Sequence, residues 1–160
     1  IEELEQFALN DSMTGFYNRN AYDYFIYNEK NIKNYMVVTF DLNNLKMCND
    51  NYGHSSGDAY IIHSAHIIET TFDRFGKCYR IGGDEFCCLI PDAAEFQIER
   101  FIQKMQQDIA ILNNKNIIPT EVGIACGYAL ATPDDADIEK VRERADEMMY
   151  HNKKVLKGLI

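Results

Sequence analysis

The stretch Cys78-Tyr79-Arg80-Ile81-Gly82-Gly83-Asp84-Glu85-Phe86-Cys87-Cys88-Leu89-Ile90 sets two short apolar runs on either side of a glycine pair. Cys78–Ile81 and Phe86–Ile90 read as the arms of a β-hairpin, because paired glycines tolerate the positive φ of a tight turn. Pro91 ends the second arm, and Cys87 and Cys88, being adjacent, must point to opposite faces of it. Upstream, Tyr35–Phe40 (YMVVTF) is a β-branched apolar run, the pattern of a buried central strand, and Asp41 follows it directly. Downstream, Val122–Ala131 alternates. Val122, Ile124, Cys126, Tyr128 and Leu130 fall on one face, and Gly123, Ala125, Gly127, Ala129 and Ala131 on the other. Such a strand packs bulk on one side and admits a close neighbour on the other.

Helical spacing fills the intervals. A short amphipathic helix is predicted from Ile1 to about Asn10, a tyrosine-rich one from Asn18 to about Ile32, and a third beyond Gly57 with Ile61, Ile62, Ala65, Ile68 and Phe72 inward. A fourth carries Ile98, Phe101, Ile102, Met105, Ile109 and Leu112; the last carries Ile138, Val141, Ala145, Met148 and Met149 and ends in Lys153, Lys154 and Lys157. Asn43–Asn51 reads as a compact polar segment, with a turn at Tyr52-Gly53-His54. Adjacent hairpin strands mixed with crossover helices predict an α/β (α+β) sandwich, a largely antiparallel sheet covered by helices.

At 160 residues, 46% hydrophobic and 26% charged, the chain has the size and composition of one globular domain. A net charge of −9 argues against nucleic acid as a partner, since a phosphate backbone calls for clustered Lys and Arg. The five cysteines include no C-x-x-C pair and read as reduced thiols in a core. No apolar run approaches the length of a membrane span, so the domain itself is expected to make no membrane contact.

Asp41 ends a strand predicted to be buried, where an unpaired carboxylate is costly. Alone it reads equally as a helix N-cap or a solvated strand end, and Asp84 and Glu85 alone read as solvated acids on a turn. If the strand lies beside the hairpin, these carboxylates converge on a site suited to Mg²⁺, with Mn²⁺ as a substitute. Lys46, and Lys153 with Lys157 at i, i+4, could hold phosphates, although lysines at a helix C-terminus also answer to the helix dipole.

The resemblance to a known family rests on four ordered blocks. Asp11–Arg19 (DSMTGFYNR) resembles the D-x-L-T-G-L-x-N-R opening of GGDEF-domain diguanylate cyclases, and Asp41–Asp58 (DLNNLKMCNDNYGHSSGD) resembles their D-x-D-x-F-K-x-x-N-D-x-x-G-H-x-x-G-D block. Gly82–Phe86 is the name-giving motif, and Ala145-Asp146 with Tyr150 and Lys153 resembles the closing A-D-x-x-x-Y-x-x-K element. The resemblance implies a five-stranded sheet of the nucleotide cyclase and polymerase palm type. It implies residues 1–10 as the end of a linker helix from an N-terminal sensor region, and residues 11–160 as the catalytic domain, cytoplasmic in itself or as part of a membrane-anchored protein. The implied reaction condenses two GTP, one in each half of a homodimer, to cyclic di-GMP and two pyrophosphates. By position, Asp41, Asp84 and the Leu42 carbonyl would hold the metal, and Glu85 would assist there or deprotonate the attacking hydroxyl. Asn49 and Asp58 would read guanine. Lys46, Lys153, Lys157 and the backbone around Asn44 and Leu45 would hold phosphates, with Gly82 and Gly83 letting the nucleotide sit close.

The chain departs from the family pattern at Asn43 and Asn44, which replace Asp and Phe, and at Lys157, where a forked Arg is usual. The product-inhibition motif R-x-x-D falls on Asp73 and Gly76, so no feedback site of that type is expected, and Arg74 and Arg80 read as surface charges. His63 and His66 read as partly exposed helix residues, and His54 as structural. The competing function is a degenerate module that binds GTP or cyclic di-GMP without turnover. A third, a palm-fold relative with other nucleotide chemistry, is disfavoured by the guanine-reading pair.

Overall fold

The computed structural model of the chain describes residues 8–158. The helix expected over residues 1–10 lies mostly outside the described residues. Asn18 caps the first full helix, α1 (Arg19–Asn28), its side chain accepting the Ala21 N–H at 3.0 Å. α1 stops four residues short of the predicted end. Tyr22 is fully buried, but Tyr24 and Tyr27 are exposed, so only part of the tyrosine-rich face is core.

β1 (Met36–Leu42) is buried along its whole length. The segment read as merely compact and polar is a helix, α2 (Leu45–Tyr52), and α3 (His54–Phe72) begins three residues before Gly57. Between them Gly53, at φ +90°, makes the corner that joins the two helices. The hairpin follows as β2 (Lys77–Arg80) and β3 (Glu85–Ile90), then α4 (Ile98–Asn114), β4 (Ile124–Leu130) and α5 (Ile138–Leu156). The sheet order is β2-β3-β1-β4, and every pair in it is antiparallel.

The sheet has four strands, where five were expected. Beside β2 the chain makes only a one-residue parallel bridge, Tyr17 to Tyr79. Gly15, at φ +77°, bends the backbone just before Tyr17, and the N-cap Asn18 starts α1 just after it. No length remains for a strand there.

Side-chain alternation sorts two cores. Met36, Val38, Phe40 and Leu42 of β1 join α3 and α4 on one face; Val37, Cys87 and Ala129 join α1 and α5 on the other. Cys87 and Cys88 part between these cores as their adjacency requires. All five cysteines are buried and free, with the Cys78 and Cys88 sulfurs 2.9 Å apart across the hairpin. Ile62, expected inward, is 46% exposed, because the core stripe of α3 passes through Ile61, Ala65, Ile68 and Phe72.

Two close approaches organise this frame. A Cβ on Gly127 would overlap the Ala145 carbonyl oxygen and the Met149 amide nitrogen, so the small face of β4 is what brings the backbone of α5 onto the sheet. A Cβ on Gly76 would overlap the Leu89 carbonyl oxygen of β3. Gly76→Asp, the change that restores the acidic residue of the feedback motif, is therefore expected to cost about 1–3 kcal/mol in urea unfolding.

Candidate functional site

Asp41 sits one residue from the end of β1, directly across from Glu85 on β3 and Ala125 on β4. It is 4% exposed. Alternation turns its side chain to the α5 side of the sheet, where the Lys153 Nζ lies 2.9 Å from Oδ2. Its Oδ1 is buried with no hydrogen-bond partner. Burial pushes the Asp41 carboxyl above its ordinary value; Lys153 opposes the rise, while the charges of Asp84 and Glu85 add to it. This is a buried carboxylate with one oxygen bonded to Lys153 and the other unpartnered, not a helix cap.

The hairpin turn brings the other acids close. The Leu42 N–H donates to the Asp84 carbonyl oxygen at 3.0 Å, and the Ile81 and Gly82 N–H groups share the Glu85 carbonyl oxygen at 3.0 and 3.3 Å. Neither Gly82 nor Gly83 uses positive φ, contrary to the usual reason for a glycine pair in a turn. Nothing lies within 4 Å of a Cβ on Gly83, and Gly82 lies under the Glu85 side chain. Among the described residues, no three His, Cys, Asp or Glu side chains converge as a ready-made metal centre. A carboxylate pair completed by phosphate oxygens is the usual habit of Mg²⁺, and Asp41 with its orphaned oxygen fits that donor set.

A cleft of about 460 Å³ opens beside this point, lined by Leu42, Asn44, Leu45, Lys46, Asp84, Lys153 and Lys157 among others. Seven of the sequence-predicted residues thus share one opening. Asn44 stands in the left-handed region at φ +59° and hands the chain from β1 into α2. Asn49 and Asp58 do not line the cleft. A Cβ on Gly57 would overlap the Asn49 amide, so that amide packs against the start of α3, beside the exposed Asp58.

The loop under the cleft is pinned by groups that sequence reasoning passed over. The Tyr60 hydroxyl donates to the Asn43 carbonyl oxygen at 2.6 Å and accepts the Gly123 N–H at 2.9 Å. Burial pushes that hydroxyl up to about 12, so it stays a donor. An aromatic residue on an apolar helix face carries no local signal of such a role. Arg80 is no surface charge: its guanidinium meets both Asp11 carboxylate oxygens at 3.2 Å and donates to the Gly83 carbonyl oxygen at 2.9 Å. It ties the turn to the loop Asp11–Gly15, where the Thr14 N–H and hydroxyl also donate to Asp11. The D-x-x-T spacing was the available signal for that turn. Arg74 instead stacks on Phe75, 4.7 Å from the ring centroid.

Burial opposes ionisation of Asp11, but the Thr14 hydrogen bonds and Arg80 outweigh it and hold the carboxyl below its usual range. The folded value lies below the unfolded one, about 3.9. The stability from this group is therefore complete above that pH and lost as pH falls through the folded value. Asp11→Asn is expected to lower the urea midpoint at neutral pH and to flatten its decline below about pH 4.

Comparison with known proteins gives the family and the fold. Residues 8–157 match the family described as diguanylate cyclase, GGDEF domain. The chain belongs to that family. It is 31% identical over 157 residues to the diguanylate cyclase DgcN of Escherichia coli K12, covering 94% of this chain and 38% of that protein. With DgcS of Shewanella oneidensis it shares 27% identity over 161 residues, 95% of this chain and 52% of that one. The chain thus spans roughly half or less of these relatives. Among solved structures, the coiled coil and GGDEF domain of DgcB from Caulobacter crescentus, in complex with c-di-GMP, superposes with a TM-score of 0.83 at 23% identity, over 96% of this chain and 84% of that one. At that identity it attests the shared fold. No helix among the described residues is long and apolar enough to cross a membrane.

Proposed function

We propose that this chain is the output domain of a signalling protein and condenses two GTP to cyclic di-GMP as a homodimer. The observation that carries this reading is Asp41, buried, with one oxygen bonded to Lys153 and the other unpartnered, beside the Gly82–Phe86 turn and a lysine-lined cleft. The named cyclases among its relatives point the same way.

On this reading Asp41 and Asp84 hold Mg²⁺ with the Leu42 carbonyl and Glu85 in support. The cation, when bound, neutralises charge that develops on the phosphates during transfer. Lys46, Lys153 and Lys157 hold the triphosphate, and the open space over Gly83 lets it approach the turn. Asn49 and Asp58 take the guanine edge. The 3′-oxygen of each nucleotide bonds to the α-phosphorus of the other as the α–β bridging bond breaks. Pyrophosphate leaves, and the hydroxyl proton passes to a base, the role assigned here to Glu85. One chain supplies one half of this arrangement, so catalysis is mainly the positioning of two half-sites.

The test is a zipper-dimerised form of the chain incubated with GTP and Mg²⁺, with products resolved by mass spectrometry. Cyclic di-GMP and pyrophosphate in a 1:2 ratio is the expected outcome. Tight GTP binding without product would instead assign a binding module, which the substitutions at Asn43, Asn44 and Lys157 would then explain.

A further inference from the structure

We infer that Lys153 is an internal counter-ion that keeps the divalent cation off Asp41 until a triphosphate draws the ammonium away, so that metal and nucleotide enter together. The inference rests on the proposed nucleotide site and adds a binding order to it.

Lys153 Nζ spends its bond on Asp41 Oδ2 at 2.9 Å, with the carboxylate side chain 6% exposed and the lysine side chain 22% exposed. The pair spans 112 positions in sequence, so it exists only because α5 lies against the sheet. Gly127 permits that approach, and the Asn152 amide fastens the adjoining residue by donating to the Cys126 carbonyl oxygen at 2.6 Å. The ammonium therefore lies beside Asp41 by construction and not by chance of a surface rotamer.

A cation approaching Asp41 meets one carboxylate oxygen already bonded to a positive charge. It must displace that charge or bind beside it, and either weakens its hold. Among the described residues, no set of three acids is gathered to outbid the lysine. A triphosphate changes the balance. Lys153 lines the same cleft as Lys157 and Lys46, so phosphate oxygens arriving there offer its ammonium a new partner. A four-carbon stem with free rotation can make that exchange without moving the helix. Release of Oδ2 then leaves both oxygens of Asp41 open. Linkage makes the effect reciprocal: nucleotide tightens metal, and metal tightens nucleotide, by one factor.

The test measures Mn²⁺ binding to the full chain by electron paramagnetic resonance, with and without a GTP analogue carrying a methylene between the α- and β-phosphorus. The wild-type chain is expected to bind Mn²⁺ about 5–150-fold tighter with the analogue than without it. Lys153→Met is expected to raise nucleotide-free Mn²⁺ affinity and to shrink that coupling, while Lys153→Arg keeps the wild-type pattern. A gain in metal affinity is not what a merely structural lysine would produce, since damage to the site lowers it. Unchanged or weaker nucleotide-free binding in Lys153→Met overturns the inference. If that variant does not fold, the wild-type chain decides: equal Mn²⁺ affinity with and without the analogue overturns it equally. Asp41→Asn and Asp84→Ala separate the two ideas. If neither weakens Mn²⁺ binding, the site reading itself fails; if they do and Lys153→Met shows no gain, only the role of Lys153 fails.

Discussion

Asp84→Ala in the dimerised protein is expected to reduce cyclic di-GMP formation by at least about 10²–10³-fold while leaving the fold intact. The separation of the two effects follows from how Asp84 is held. Its structural work is done by the backbone, whose carbonyl oxygen accepts the Leu42 N–H at 3.0 Å, and alanine keeps that bond. Asp84 lines the cleft with Lys153 and Lys157, and among the described residues its carboxylate makes no hydrogen bond to a protein group. Its removal takes away one of two acids proposed to hold the cation. Stability should change by no more than about 0.5 kcal/mol, as for an ordinary partly exposed position. Turnover measured beside urea unfolding checks both halves. A variant that kept more than a tenth of wild-type turnover would sink the assignment of Asp84 as a metal ligand.

Gly127→Val should have the largest effect on stability, about 3 kcal/mol, at the upper end of the overpacking range. Many overpacked sites relax because the crowded neighbour is a side chain that can rotate. Here the neighbours are backbone: the carbonyl oxygen of Ala145, the amide nitrogen of Met149 and, at 2.9 Å, the Met149 Cα. They can yield only if α5 shifts as a unit away from β4, which opens Ala129, Val141 and Ala145 to water. Because the first carbon already overlaps, Gly127→Ala should be nearly as harmful as Gly127→Val. Comparable losses in urea unfolding for both variants are the expected result. A mild Gly127→Ala with a severe Gly127→Val would mean that volume, and not the closeness of the helix, limits the site. Either substitution should also loosen Lys153 from Asp41, since Lys153 lies one turn beyond Met149.

Much of the fold could be read from local pattern. The hairpin arms and the buried strand before Asp41 show as short apolar runs bounded by turn residues or a carboxylate, and the two-faced strand near the C-terminus shows a period of two. The errors fell where a local pattern was weak or was overruled. α2 is polar and only eight residues long, and its stripe is reduced to Leu45 and Cys48. The missing fifth strand depended on whether Gly15 and the Asn18 cap left room for one, a matter of backbone angles that residue types suggest only loosely. Gly82 and Gly83 were expected at positive φ and neither adopts it, a matter of backbone angle that the residue type leaves open.

The Asp41 and Gly82–Phe86 site shows the same division. Reading along the chain was enough to find the carboxylates and lysines, the buried strand that leads into Asp41, and the family signature in its order. Those facts follow from spacing along the chain and from residue type. Packing between distant elements settled which charges meet. It set Lys153 on Asp41, made Arg80 a clamp on Asp11, and left one oxygen of Asp41 without a partner. An ion pair between residues far apart in sequence is set by how a helix lies on a sheet. That in turn is set by the space a single glycine leaves.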